Sequence, residues 1–222
     1  MFDFNFNIFY NKIMSLTNFK EVQCECGEKF TVELVNSINA EQTPQLKEKL
    51  LAGELNLTVC PKCHKLLYVE QFILYIELNK ELIVFIYPKD YENDSEKWEK
   101  IMNQDFQKVQ QDLKEEDKIK FSPIIIFGLE KLVELLNFEE LQEEETEIVK
   151  YICQQYNLKT IELSCTQARK EHIPRIIPLL NSENKTKTEQ IIDGLEKIIS
   201  FSPDLVCYKK FLEQLKNKKI SF

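Results

Sequence analysis

Apolar and polar positions alternate from Lys29 to Asn36: Phe30, Val32 and Leu34 fall on one face, and Thr31, Glu33 and Val35 on the other. This period of two predicts a half-buried strand. Lys20 to Gln23 extends toward it and ends in Cys24-Glu25-Cys26-Gly27. A short helix follows, with Thr43 as N-cap, Pro44 at the first helical position and Gly53 at the C-terminal stop. Leu46, Leu50 and Leu51 give that helix one apolar face. Leu55 to Val59 reads as a strand feeding Cys60-Pro61-Lys62-Cys63. Phe72 to Leu78 and Leu82 to Tyr87 then form a hairpin about Asn79-Lys80-Glu81. Both runs are apolar at nearly every position, so they are either covered on two faces or paired with another chain.

Beyond Pro88 the period changes. Trp98, Ile101, Met102, Phe106, Val109 and Leu113 recur at three or four residues and predict an amphipathic helix from near Ser95. Residues 90–117 carry ten acidic and four basic side chains, which read as its solvated face. Ile124 to Phe127 is a short strand, and Gly128 opens a helix with Leu129, Leu132, Val133 and Leu136 on one side. The cluster Glu139, Glu140, Glu143, Glu144, Glu145 and Glu147 is expected to form a loop and the first turn of a new helix. Carboxylates favour the positive end of a helix dipole there. That helix is expected to run through Ile148 and Ile152 to about Tyr156. Thr160 to Leu163 reads as a last strand, Pro174 and Pro178 as interruptions, and 188–200 and 205–216 as two closing helices.

The seven cysteines change the picture. Four fall in two tight pairs, Cys24-x-Cys26 and Cys60-x-x-Cys63, separated by 33 residues. Two turns that each present two thiolates can enclose one zinc ion tetrahedrally. Four thiolates close the coordination shell, so such a site is structural. The competing reading is a redox pair, or a site without metal. His64, next to Cys63, reads as a surface or supporting histidine, because adjacent residues rarely reach one ion. The remaining cysteines, Cys153, Cys165 and Cys207, read as small buried hydrophobes.

The pattern Cys24-x-Cys26-Gly27, Phe30, Ser37-Ile38-Asn39, Pro44-x-Leu46-Lys47, Leu51-x-Gly53-x-Leu55-Asn56 and Cys60-Pro61-x-Cys63 resembles the CpXC domain family, bacterial and archaeal proteins with paired cysteine motifs. The likeness continues through the Tyr75 region and Phe127-Gly128-Leu129 to about Lys150, roughly two thirds of the chain. His64 stands where that family often carries glycine. The resemblance implies a fold and a metal, and no particular activity.

These readings combine into an α+β fold. A β-rich, zinc-ribbon-like N-terminal half with an inserted helix precedes a mainly helical C-terminal portion. The expected organisation is an N-terminal extension over 1–16, a CpXC-like zinc-binding domain over 17–150 and a helical region over 151–222. Met14 is an alternative start, and the aromatic and polar residues before it read as extra sequence or as an arm that docks on a partner.

Composition narrows the function. The net charge is −8, which argues against nucleic acid and anionic membrane surfaces. Lys209, Lys210, Lys216, Lys218 and Lys219 leave only the tail locally basic. No apolar run is long enough to span a bilayer, and no export signal is visible, so the expected location is the cytoplasm. Enzymatic motifs are thin. Cys165 and His172 form the one thiol–imidazole candidate, and no phosphate loop, dinucleotide fingerprint or nucleophile elbow is present. The reading is a zinc-stabilised interaction or scaffold protein, with a protein partner or self-association through the 72–87 hairpin. The alternatives are a nucleic-acid-binding zinc ribbon and, after it, an enzyme. No catalytic or organic-cofactor residues are assigned.

Overall fold

In the computed structural model, which describes residues 14–181 and 185–217, β1 (Leu16–Gln23) and β2 (Lys29–Asn39) form a long antiparallel hairpin. β1 begins earlier than the alternation predicts. Its side chains from Thr17 to Glu21 are exposed, so no buried face marks it in the sequence. α1 (Pro44–Leu51) follows, with Thr43 at the N-cap position. The Thr43 hydroxyl makes no cap hydrogen bond and meets the Ser15 hydroxyl instead. β3 (Leu57–Val59) and β4 (Leu66–Tyr68) form a separate antiparallel ribbon.

β5 (Ile73–Glu77) lies parallel to β2, and β6 (Leu82–Tyr87) returns antiparallel to it. β7 (Ile124–Phe127) joins β6 in parallel, giving the sheet order β1-β2-β5-β6-β7. Every residue of β5 and β6 is buried, and each strand is paired on both edges. The doubly apolar pattern therefore belongs to the centre of the protein's own sheet, and this hairpin presents no free docking face. Leu74, Ile76, Ile83, Phe85 and Tyr87 share a core with Met102 and Phe106 of α2 (Ser95–Asp112). Trp98 closes that core, stacked on Tyr91 at 4.4 Å. The one charged residue buried in these strands, Glu77, is met by Lys47 at 3.4 Å, Lys80 at 3.7 Å and the Tyr75 hydroxyl at 2.5 Å.

α3 (Leu129–Gln155) is one continuous helix of 27 residues. The glutamate cluster forms its middle, where a loop was expected. The chain divides into two compact units between Glu134 and Leu135, inside this helix. The second unit contains β8 (Lys159–Glu162), α4 (Cys165–Glu171), β9 (Ile176–Leu179), α5 (Lys187–Phe201) and α6 (Val206–Lys216). β8 and β9 pair antiparallel, with Thr160 opposite Pro178. Pro178 thus lies within a strand where an interruption was expected. A two-stranded ribbon leaves each strand one unpaired edge, which is where a residue without an N–H fits.

Val149, Ile152, Ile177, Ile191, Leu195, Ile198, Tyr208 and Phe211 build the core of this unit. Gly194 lets α5 approach β9 closely, since a Cβ there would stand 2.6 Å from the Pro178 carbonyl oxygen. The protein is α+β, with its large sheet in the N-terminal half and mainly helices in the C-terminal portion.

Candidate metal centre

Each cysteine pair sits at the tip of a hairpin. In the β1–β2 tip, the Cys24 N–H donates to the Glu28 carbonyl at 2.8 Å and the Gly27 N–H to the Cys24 carbonyl at 2.8 Å. Gly27 takes φ +87°, a left-handed conformation that a side chain would strain. In the β3–β4 tip, the Cys60 N–H donates to the Lys65 carbonyl at 2.9 Å and the His64 N–H to the Cys60 carbonyl at 3.0 Å. His64 itself is left-handed, at φ +59°. The residue that departs from the family pattern therefore occupies the conformation for which glycine is suited.

The two tips face each other. Cys24 Sγ lies 3.5 Å from Cys63 Sγ, and Cys26 Sγ lies 3.6 Å from Cys60 Sγ. The four sulfurs all fall within 4.8 Å of one another, so Cys24, Cys26, Cys60 and Cys63 could hold a metal ion. Cys24 and Cys60 are buried, and Cys26 and Cys63 are exposed.

Three devices bring the tips into register. Asn56, at φ +58°, turns its carboxamide onto the β2 backbone. Its Oδ1 accepts from the Val35 N–H at 2.7 Å, and its Nδ2 donates to the Val35 carbonyl at 3.0 Å. Lys65 pairs with Glu25, and Lys62 lies 3.8 Å from Glu28, so each ion pair crosses from one tip to the other. The spacing of the cysteines does not reveal these residues. Asn56 is signalled only by its place in the family pattern.

The sulfurs hold their protons unevenly. Hydrogen bonding from the Cys26 N–H favours the Cys24 thiolate, but burial and the neighbouring sulfurs outweigh it and push the thiol up to about 12. At Cys60, burial opposes ionisation. The N–H groups of Cys63 and Lys62, with the sulfurs of Cys63 and Cys24, more than offset it and bring the thiol down to about 7. Glu25 first, and then the thiolates of Cys24 and Cys63, raise the Lys65 ammonium. The Glu28 N–H favours the Cys26 thiolate, but burial and the Cys63 sulfur push that thiol up as well, so a cation that binds here displaces protons from the raised thiols of Cys24 and Cys26.

Other candidates separate. Cys165 opens α4 and His172 caps its far end, seven residues away and about 10 Å along the axis. Their backbone positions therefore stand about two helical turns apart. In the tail, Lys216 pairs with Glu196 at 2.7 Å, while Lys218 and Lys219 lie outside the described residues, as do the residues before Met14. No helix among the described residues is long and apolar enough to cross a membrane.

No curated protein and no solved structure matches the chain. A family model described as "CpXC protein" matches residues 22–150, which is more than half of the chain and spans all four cysteines, and the chain belongs to the CpXC family.

Proposed function

We propose that the chain is a zinc-stabilised interaction protein, in which a structural zinc ion holds two hairpins together and presents a surface to a protein partner. The convergence of four sulfurs at 3.5 and 3.6 Å across two hairpin tips carries this reading. Bonds of about 2.3 Å to a tetrahedral zinc ion place sulfurs about 3.8 Å apart, so small adjustments admit the ion. Cys24, Cys26, Cys60 and Cys63 would be its ligands. Four thiolates leave no open position for water or substrate, which supports a structural role and not a catalytic one. The zinc-ribbon resemblance lies in this pair of knuckles.

The proposed partner surface is the outer face of the β3–β4 ribbon. Leu57 stands opposite Tyr68 and Val59 opposite Leu66, and all four side chains are exposed, Leu66 at 61%. A contiguous apolar face of this kind beside a metal centre suits a protein partner. The net charge of −8 disfavours nucleic acid as the occupant. Cysteines without disulfides suit a reducing compartment such as the cytoplasm.

Elemental analysis of purified protein tests the metal reading, with about one zinc per chain expected and its absence sinking the proposal. The partner reading is tested by affinity capture with the intact chain and with Leu66→Asp, which leaves the zinc ligands and core intact. A partner lost only in the variant supports the surface. Identical capture by both chains removes it.

A further inference from the structure

The four sulfurs differ in their access to solvent. Cys24 and Cys60 are 2% and 0% exposed, whereas Cys26 and Cys63 face solvent. Within this cluster, whose sulfurs all lie within 4.8 Å, two short approaches each join one exposed and one buried member: Cys63 with Cys24 at 3.5 Å, and Cys26 with Cys60 at 3.6 Å. Both approaches cross from one hairpin to the other. Sequence spacing alone would favour a disulfide within the Cys60-x-x-Cys63 turn.

We propose that the tetrathiolate is an oxidation site for hydrogen peroxide, at which Cys26 and Cys63 react first, Cys60 and Cys24 resolve them, and two cross-hairpin disulfides replace the zinc ion. The inference rests on the zinc reading above and adds a chemical modification to it.

The chemistry balances with peroxide as the only oxidant. The exposed thiolate attacks one peroxide oxygen, an S–O bond forms, the O–O bond breaks, and hydroxide leaves and takes up a proton. The sulfur is then a sulfenic acid. The buried thiolate beside it attacks that sulfur, an S–S bond forms, the S–O bond breaks, and a second hydroxide leaves to become water. Each pair gives up two electrons to one peroxide, and zinc departs as the aquated ion when its ligands are consumed. The sulfurs must close by about 1.5 Å to reach the usual bond length.

This pairing has a structural consequence that a disulfide within one turn lacks. Cys24–Cys63 and Cys26–Cys60 bonds would keep the two hairpins joined after metal loss. Oxidation would then exchange one cross-link for another without separating β1–β2 from β3–β4. Bonds within each turn would add no covalent link between the hairpins, leaving non-covalent contacts such as those of Asn56, Gln71 and the two ion pairs.

The test uses the full chain. Zinc content is measured first, peroxide is then titrated in the presence of a chromogenic zinc chelator, and the alkylated protein is digested with trypsin without reduction. Cleavage after Lys62 separates Cys60 from Cys63, while Cys24 and Cys26 share the peptide 21–29. The expected result is release of the bound zinc with about two peroxides consumed per ion. The Cys63 and Cys60 peptides should both be linked to 21–29, with fragmentation placing Cys63 on Cys24 and Cys60 on Cys26. A Cys60–Cys63 or Cys24–Cys26 bond overturns the proposal, as does sulfinic acid at Cys26 and Cys63 without disulfide. Zinc retained under peroxide overturns the proposal alone. Absence of zinc before peroxide overturns the parent reading and this one with it.

Discussion

At the facing hairpin tips, β3 and β4 are three residues long and show an apolar face to solvent. Among the described residues, their links to β1–β2 include the sulfur cluster, the Asn56 carboxamide, Gln71 on the Val35 carbonyl and two exposed ion pairs. The unit beyond Leu135 is built differently. Its core joins α3, β9, α5 and α6 through Val149, Ile177, Leu195, Tyr208 and Phe211, none of them more than 1% exposed. Hydrophobic burial is spread over many contacts and weakens by degrees, whereas a metal-centred arrangement depends on each ligand at once. With the proposed metal, one chain would carry two stabilising regimes that different perturbations should separate.

The largest separation is expected from the metal site. Chelation, or Cys60→Ser, should take zinc from about one per chain to near zero and abolish amide-exchange protection across 24–28 and 57–68. Protection in α5 and α6 should persist. Uniform loss of protection in both units would show that the metal serves the whole chain and would erase the comparison.

The reverse experiment acts on the second unit. Phe211→Ala removes a ring that is 1% exposed from the core, at a cost of about 3–5 kcal/mol. Denaturant unfolding followed by helix signal should register that loss, while zinc content stays unchanged. A fall in zinc content would couple the two regimes.

A smaller effect is expected at Glu145. Its carboxylate is buried and accepts from the N–H groups of Val206, Cys207 and Tyr208, at 2.6 to 3.4 Å. It thus caps α6 from a residue about sixty positions earlier, where the first-turn amides carry the positive end of the dipole. Glu145→Ala should cost about 2 kcal/mol. Glu145→Gln, which keeps an acceptor, should cost about half as much. Equal losses for the two variants would mean that the carboxylate contributes through packing and not through the cap.

Glu145 also marks the limit of what the sequence discloses. The six glutamates look alike as a run, and the one that points inward is explained only by amides about sixty residues away. A local reading therefore broke α3 where the helix in fact runs on through 137–144, a stretch with no buried residue, before Glu145, Thr146 and Val149 turn inward. β9 was hidden by Pro178, and β4 by three consecutive apolar residues with no period. The cysteine pairs were legible for the opposite reason. Two thiols in one tight turn are placed by covalent spacing, while the convergence of the two turns rests on the packing of their hairpins. The fully apolar strands β5 and β6 were legible as doubly covered, but whether the cover came from this chain or another needed the sheet order.

The smallest predicted change is His64→Gly, and its sign matters more than its size. At φ +59° histidine pays a steric cost that glycine avoids. Glycine also brings extra freedom to the unfolded chain, which offsets part of the gain. The net effect should be a stabilisation of about 0.5–1 kcal/mol in the zinc-loaded protein, read as a rise in the unfolding midpoint of the N-terminal unit. Metal affinity should not change if, as proposed, four sulfurs complete the shell and His64 contributes only its backbone turn. If zinc affinity falls instead, the imidazole takes part in holding the ion and the closed four-sulfur site is wrong. If affinity holds while stability falls, the His64 side chain makes a compensating contact that outweighs its strained backbone.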